Sequence, residues 1–344
     1  MRHRPPLVIG HRGASGYRPE HSRSAYALAC AMGVDAVEPD VVLSRDGVLV
    51  VRHENEISGT TDVADRAEFA SRRTTKTIDG DEVRGWFTED FTWAELQTLR
   101  CRERLPGLRP TSASFDDEQS VLRLRDVLDL VRDASTEQDR PIGVVLEIKH
   151  ATYFASLGWD VATMVVDELR DAGWADGTFP LTVESFERTV LSGIRERGLR
   201  CPLVYLLEAS GQPADLVAAL GADAPTYRHT ATPAGLDGIA DLVDGISVDK
   251  RMILTSDARG RAVDPSSVVA DAHARGLLVF TWTCRPENAF LLPEFREGRD
   301  RAAHGDWPAE WQIIRDAEVD GVFVDHPDLG VAFFRDTGRG SRDG

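Results

Sequence analysis

The chain contains 344 residues, which is enough for one large domain or two domains of ordinary size. Its 57 Asp and Glu residues outnumber its 40 Lys and Arg residues, so the formal net charge is -17 at pH 7. This acidic balance argues against nucleic acid or an anionic membrane as the main partner. No apolar run approaches the roughly 20 residues that a membrane span needs, so stable membrane insertion is not expected.

The amino-terminal stretch leads directly into the first predicted strand. It contains neither an apolar signal core nor a small-residue cleavage site. We therefore expect a cytoplasmic protein, unless a leader was removed from the chain. The four cysteines are widely spaced, without a C-x-x-C pair, which favours reduced thiols over a disulfide framework or a zinc site. The sequence leaves the oligomeric state open.

Short β-branched runs alternate with stretches of helical apolar spacing along most of the chain. The pair Asp46-Gly47 between two alternating strands is typical of a β-hairpin turn. The predicted elements, in chain order, are a strand at 7–11, a helix at 19–33, a strand at 35–40 that continues into the hairpin, a helix at 121–134, a strand at 142–150, a helix at 158–172, a strand at 181–185, a helix at 186–198, a strand at 202–208, helices at 213–220 and 264–275 on either side of a strand at 245–249, and strands at 277–283 and 320–327.

This alternation, repeated about eight times, predicts a parallel α/β sheet. Because no second core is apparent, the length favours a closed (β/α)8 TIM barrel, formed as a single domain over residues 5–336. Residues 55–118 are polar and do not fit the repeat, so they are interpreted as a small inserted subdomain after the second strand. Residues 285–315 are predicted to form a long loop or lid, and 337–344 a disordered tail.

Three carboxylates lie at the carboxyl ends of predicted strands, where barrel enzymes carry their chemistry. Glu38 and Asp40 are two residues apart, so their side chains leave the same face of a strand. Glu147 ends another apolar strand, where an unpaired carboxylate would be costly. Pairing with a nearby Arg or Lys would explain any one of them. A bound divalent cation explains all three, and oxygen ligands favour Mg²⁺ or Ca²⁺.

Two histidines, His11 and His53, also end predicted strands, and imidazole exchanges protons near neutral pH. Arg12 and Lys149 add cations suited to a phosphate, which together indicate an anionic substrate. Trp282 could wall the same pocket. The remaining candidates are weaker: His21 is interpreted as a structural residue near a helix start, Asp249 and Asp325 as loop caps, and His150 carries no recognisable pattern.

The candidate residues belong to a series of short motifs. In chain order, these are H-R-G at 11–13, P-E-H at 19–21, E-P-D at 38–40, S-R-D-G at 44–47, R-H-E at 52–54 and L-E-I-K at 146–149. The series resembles the motifs of the glycerophosphodiester phosphodiesterase family, and the resemblance spans nearly the whole chain. Two residues depart from the family pattern: His21 stands in place of the usual Asn, and Glu54 stands in place of an Asp after the second histidine, so the role of that Asp is not carried over to Glu54.

The resemblance implies a TIM barrel that hydrolyses glycerophosphodiesters, such as glycerophosphocholine or glycerophosphoethanolamine, to sn-glycerol 3-phosphate and an alcohol. It implies one divalent cation, Ca²⁺ or Mg²⁺, held by the three carboxylates. His11 would be the general base and His53 the general acid, although the residues alone do not fix which is which. Arg12 and Lys149 would hold the phosphate.

Three alternatives remain open. A lysophospholipase D-like enzyme would need an apolar groove, which the stretch FLLPEF at 290–295 could supply. A catalytically silent barrel used for binding would have no need of the histidines and carboxylates together. A metal-dependent sugar isomerase or aldolase would share the fold, but its reaction does not call for two histidines beside an arginine and a lysine.

Overall fold

The structure is a computed structural model that describes residues 5–255, 261–262 and 265–335, so the predicted tail at 337–344 lies outside the described residues. Its strands, in chain order, are β1 (Leu7–His11), β2 (Ala36–Glu38), β3 (Asp40–Leu43), β4 (Leu49–Val51), β5 (Thr74–Ile78), β6 (Asp81–Gly85), β7 (Gly143–Ile148), β8 (Leu181–Ser185), β9 (Leu203–Leu207), β10 (Gly245–Asp249), β11 (Leu278–Cys284) and β12 (Gly321–Val324).

The helices lie between these strands and vary from one turn to four. They are α1 (Arg23–Ala31), α2 (Trp93–Leu96), α3 (Pro110–Ala113), α4 (Leu124–Glu137), α5 (Ala151–Ser156), α6 (Val161–Asp171), α7 (Arg188–Glu196), α8 (Ala214–Leu220), α9 (Tyr227–Thr230), α10 (Pro233–Asp237), α11 (Val268–His273), α12 (Trp307–Asp316) and α13 (Pro327–Arg335).

The sheet closes into a parallel eight-position barrel, which confirms the predicted fold. From β7 the strands follow each other in the order β8, β9, β10, β11, β12 and β1, and β2 returns to pair with β7. The second position is shared by β2 and β3, which are separated by Pro39. Both segments pair with β7, through Ala36↔Gly143 and Asp40↔Glu147. The predicted hairpin is also present, because β4 pairs antiparallel with β3.

Successive side chains point to opposite faces of each strand, and this alternation divides the core into two parts. Val8 belongs to the large cluster between the strands and the surrounding helices. Ile9, its neighbour, points to a smaller cluster in the barrel interior. The interior cluster is completed by bulky residues from strands around the barrel, so the centre is filled and the cavity is confined to the mouth. Its members are Ile9, Ala36, Val145, Val204, Phe280 and Phe323.

The predictions for residues 19–21 and 285–315 are wrong, whereas the ends of the other predicted helices differ from the structure by a few residues. The first helix does not begin at Pro19: its cap is Ser22, whose hydroxyl accepts a hydrogen bond from the backbone N–H of Ala25. Residues 19–21 instead form a loop against the site. The segment at 285–315 is a loop only in its first part, because its last residues form α12, whose Trp311 is fully buried. Apolar spacing within that polar stretch was the signal that the sequence analysis missed.

The inserted residues 55–118 lie between β4 and α4 and contain the two-stranded hairpin β5–β6. Despite their polar composition, they contribute fully buried aromatic side chains, Phe87 and Phe91. The hairpin tip, with Asp79, reaches the cavity at the barrel mouth. The segment therefore packs onto the barrel and borders its mouth. Among the described residues, no helix is both long enough and apolar enough to span a membrane.

Candidate active site

A cavity of about 980 Å³ lies at the carboxyl ends of the barrel strands. Seven of the eight residues singled out from the sequence line it, although they come from five different strand ends or adjoining loops. Parallel strands direct their carboxyl ends to one edge, and the antiparallel return of β4 carries His53 back to the same edge. The seven are His11, Arg12, Glu38, His53, Glu147, Lys149 and Trp282.

The eighth residue, Asp40, is buried with Glu38 and Glu147, and each of the three offers an oxygen within 4.8 Å of the others. Glu38 Oε1 and Asp40 Oδ1 accept no hydrogen bond from the described residues. Burial, reinforced by Asp40 and Glu147, raises the pKa of Glu38 well above its usual value, and burial raises the pKa of Glu147 to about 8. These crowded oxygens suit a hard divalent cation.

Asp40 differs from its two neighbours because the groups around it favour its charged form. Burial alone would raise its pKa, but Lys149, followed by His53 and His21, holds the pKa well below the usual value. His21 Nε2 lies 2.9 Å from Asp40 Oδ2, and its Nδ1 lies 2.6 Å from the hydroxyl of Tyr26. His21 has a left-handed backbone with φ of 58° and directly precedes Ser22, the cap of α1, so it is a loop residue that lies behind Asp40.

A fourth carboxylate, Glu184, lies next to this cluster. It ends β8, where it pairs in register with Glu147 of β7. Its side chain is buried and lines the cavity, and Oε2 accepts no hydrogen bond from the described residues. Burial and the charges of Glu147 and Asp40 raise its pKa well above the usual value. Glu184 therefore adds a fourth crowded carboxyl group to the cavity floor, and its surroundings favour the protonated form.

His11, at the end of β1, is supported by Asp325, which follows β12. Nδ1 of His11 lies 2.6 Å from Asp325 Oδ1. The other carboxylate oxygen accepts hydrogen bonds of 2.6 Å from Arg109 and from Arg285. Burial, with a contribution from Arg12, lowers the pKa of His11 to about 4. Asp325 is thus no loop cap: it fixes the imidazole of His11.

His53 follows β4 and is supported by its chain neighbour, Glu54. Nδ1 of His53 lies 2.6 Å from Glu54 Oε1, so the carboxylate contacts the ring, although the pair does not have hydrogen-bond geometry. Nε2 of His53 lies 3.1 Å from Lys149 Nζ. Burial, followed by the charges of Arg12 and Lys149, lowers the pKa of His53 to about 3. The second oxygen of Glu54 lies 3.3 Å from Nε2 of His150.

The two predicted phosphate ligands, Arg12 and Lys149, are buried cations held by carboxylates. Arg12 donates a hydrogen bond of 3.0 Å to Glu20, and Lys149 donates one of 2.8 Å to Glu147. Burial alone would lower the pKa of each group, but these and other nearby acids raise both values above their usual range. Both side chains therefore stay charged at neutral pH, beside the carboxylate cluster.

Trp282, the remaining predicted residue, forms part of the cavity wall. Its indole N–H donates a hydrogen bond of 3.3 Å to the backbone oxygen of Ser247, and its ring meets Phe186 edge to face at 5.8 Å. These contacts fix the ring at the mouth, where it borders the cavity.

A barrel mouth that combines two carboxylate-supported imidazoles, two buried cations and a carboxylate cluster defines a hydrolase of phosphate esters. The sequence profile of the Glycerophosphoryl diester phosphodiesterase family matches residues 11–329. The chain therefore belongs to this family and is a phosphodiesterase.

Similar proteins extend over most of the chain. Glycerophosphodiester phosphodiesterase GDPD6 of Arabidopsis thaliana is 31% identical over 333 residues, which cover 93% of this chain and 83% of the relative. A glycerophosphodiester phosphodiesterase of Haemophilus influenzae is 25% identical over 96% of this chain and 90% of the relative.

Solved structures share the fold at lower sequence identity. A putative glycerophosphoryl diester phosphodiesterase from Silicibacter pomeroyi aligns with a TM-score of 0.65 and 22% identity, covering 97% of this chain and 95% of that one. An Oleispira antarctica phosphodiesterase, in complex with the product sn-glycerol-3-phosphate, aligns with a TM-score of 0.60 and 18% identity over 95% and 96% of the two chains. These similarities support the barrel architecture.

Sequence reasoning missed the groups that support the histidines. The strand-end rule selected Asp325 as well as His11, but Asp325 was interpreted as a loop cap because it has no partner in the local sequence. His150 directly follows Lys149, and its position beside a strand end was an available signal. Arg109 lies in the insertion, far from any strand end, and no local pattern marks it. Only the packing of the insertion onto the barrel brings it to Asp325.

Proposed function

We propose that this phosphodiesterase hydrolyses glycerophosphodiesters, such as glycerophosphocholine or glycerophosphoethanolamine, to sn-glycerol 3-phosphate and an alcohol. The observation that carries the proposal is the pair of imidazoles, His11 and His53, each with Nδ1 2.6 Å from a carboxylate oxygen at the mouth of one cavity. Family membership and the product complex of the Oleispira antarctica structure support this substrate class.

Glu38, Asp40 and Glu147 would hold one divalent cation, Ca²⁺ or Mg²⁺. Their converging oxygens, two of which lack hydrogen bonds from the described residues, fit such an ion. When bound, the cation supplies positive charge that offsets the negative charge developing on the phosphoryl oxygens.

Arg12 and Lys149 would bind the phosphate, because both are charged and both border the cavity. His11, neutral near pH 7, would accept a proton from the nucleophile, which is either water or the 2-hydroxyl of the glycerol. His53 would donate a proton to the departing alcohol. A phosphate between Arg12 and Lys149 places negative charge beside both rings and raises their pKa values, which favours the protonated His53 that donation requires.

A second candidate is hydrolysis of a lysophospholipid headgroup by a lysophospholipase D-like reaction. The observation in its favour is the apolar lip of the cavity, formed by Phe290, Leu291, Leu292 and Pro293. A silent barrel used for binding is disfavoured, because it would not need two supported imidazoles beside the carboxylates. The cytoplasmic location remains a prediction from the sequence.

The test is incubation of the protein with glycerophosphocholine, glycerophosphoethanolamine and lysophosphatidylcholine. Release of glycerol 3-phosphate is followed with a coupled dehydrogenase, and choline with an oxidase. We expect glycerol 3-phosphate from at least one glycerophosphodiester, loss of the rate in EDTA, and recovery with Ca²⁺ or Mg²⁺. Choline released only from the lysophospholipid would select the second candidate. No release from any substrate, with either metal, would refute both.

A further inference from the structure

Behind His53, contacts continue through Glu54 and His150 to Asp79 at the tip of the inserted hairpin. We propose that His150 is a positioning residue that holds the Glu54 carboxylate against His53 and ties this support to the insertion. The proposal rests on the role proposed above for His53. It adds a group, His150, that does not touch the reacting atoms, and it gives the insertion a part in the reaction.

Both ring nitrogens of His150 are engaged by carboxylates. Nδ1 lies 2.6 Å from Asp79 Oδ2, and Nε2 lies 3.3 Å from Glu54 Oε2. His150 stands at the amino-terminal cap position of α5, but its side chain makes no capping hydrogen bond. Its backbone is left-handed, with φ of 52°. A role as a helix cap therefore does not explain the residue, whereas a bridge between two carboxylates does.

The charge of His150 suits this bridge. Burial alone would lower the pKa of His150, but the hydrogen bonds with Asp79 and Glu54 raise it to about 9. The imidazolium has a donor on each nitrogen, which matches two acceptors. Two further charged groups act nearby: Lys149 faces Glu54, and Glu187 lies within electrostatic reach of Asp79.

Glu54 needs such a partner because its side chain is not fixed by burial. Its side chain is 38% exposed, whereas the side chain of Asp325, the carboxylate behind His11, is 1% exposed. An exposed glutamate can move among several rotamers, and each lost rotamer costs free energy. A cation bound to the second oxygen restricts the carboxylate to the orientation that reaches His53.

Asp79 offers a substitution that tests the bridge with little effect on the fold. Asp79 and Gly80 form the tip of the β5–β6 hairpin, both with positive φ, 51° and 97°. Asn-Gly is the preferred pair for a two-residue turn of this kind. Asp79→Asn therefore keeps the turn and removes the negative charge. Similarly, His150→Asn suits a left-handed backbone and removes the imidazole.

The experiment compares H150N and D79N with a matched control, H273N. His273 Nε2 lies 2.9 Å from Asp320, a similar pair next to the amino-terminal ends of β11 and β12, away from the cavity. We expect H150N to lower kcat about tenfold, a size typical of groups that orient a functional ligand, and D79N to lower it less. The KM of each variant and the kcat of H273N should stay near the wild-type values.

Two readouts separate positioning from a loss of folding. The first is an E54Q background, in which H150N should cause no further loss, because its effect passes through Glu54. The second is the NMR titration of the His53 ring, which also faces Arg12, Lys149 and Asp40. Removal of the His150 cation leaves the negative charge of Glu54 unshared, so the pKa of His53 should rise in H150N.

An unchanged kcat in both H150N and D79N, or an equal further loss in the E54Q background, would overturn the proposal. If H150N does not fold, D79N decides the kinetic question alone. If the wild-type protein hydrolyses no glycerophosphodiester, the proposed function fails, but the His53 titration still tests the bridge: a His53 pKa that is unchanged in H150N would refute it.

Discussion

The two histidines of the site are supported in different ways. Behind His11 stands Asp325, a buried carboxylate that follows the last barrel strand and binds two arginines, Arg109 and Arg285. These guanidinium groups remain charged at every ordinary pH. The arginines that hold the carboxylate behind His11 therefore stay charged, and the carboxylate itself is buried in the fold.

Behind His53 the carboxylate is Glu54, which is partly exposed, and its partner is His150, a group that can lose its charge. The comparison shows that residues of the barrel strands alone do not complete the contacts behind either histidine. Arg109 and Asp79 both come from the inserted segment, one for each histidine. The insertion therefore contributes to both ends of the proposed proton transfer, with a fixed charge at one end and a titratable one at the other.

The largest expected effect is loss of either imidazole. We expect H11A and H53A each to lower kcat by about 100-fold or more, because general acid and general base catalysis each contribute at least that much. The measurement is steady-state hydrolysis of the best glycerophosphodiester, with H273A as a control for the loss of a histidine elsewhere. A near-wild-type rate in either variant would remove that histidine from the proposed mechanism.

The next effect concerns the two supporting carboxylates and bears directly on the comparison. D325N should lower kcat by roughly 10- to 100-fold and lower the melting temperature, because two arginines would then face a neutral, buried amide. E54Q should lower kcat less and leave the melting temperature nearly unchanged, since Glu54 is partly exposed. Equal effects of the two variants on stability would contradict the distinction drawn here.

The smallest effect is a pH dependence of the hairpin attachment. The pKa of His150 is raised in the folded chain from 6.5 to about 9. The contact with Asp79 therefore contributes stability that is fully present below pH 6.5 and is lost as pH rises through about 9. We expect limited proteolysis at the β5–β6 hairpin to accelerate between these pH values in the wild-type protein.

In H150N the same acceleration should be absent, after correction for the pH dependence of the protease on an unfolded substrate. The contact between Arg109 and Asp325 should hold its part of the insertion equally at each pH, because the charge of Arg109 does not change in this range. Cleavage that rises equally in the wild type and in H150N would show that the hairpin is held by other contacts.

Much of the barrel could be predicted from the sequence, because β-branched runs and apolar helical spacing are local patterns. The strands at 181–185 and 245–249 match β8 and β10 at both ends. The errors fall where the local pattern misleads: Pro19 and Glu20 imitate a helix start ahead of α1, and polar neighbours obscure the apolar spacing of α12. Both boundaries depend on packing against the barrel.

The sequence by itself determined which side chains reach the mouth, because the ends of parallel strands must share one edge. That rule identified Glu38, Asp40 and Glu147 before any distance was known. Only the tertiary structure decided which groups stand behind the histidines. Arg109 is 216 residues from Asp325, and Asp79 is 71 residues from His150. Contacts across such separations depend on how the insertion packs, and no local spacing encodes them.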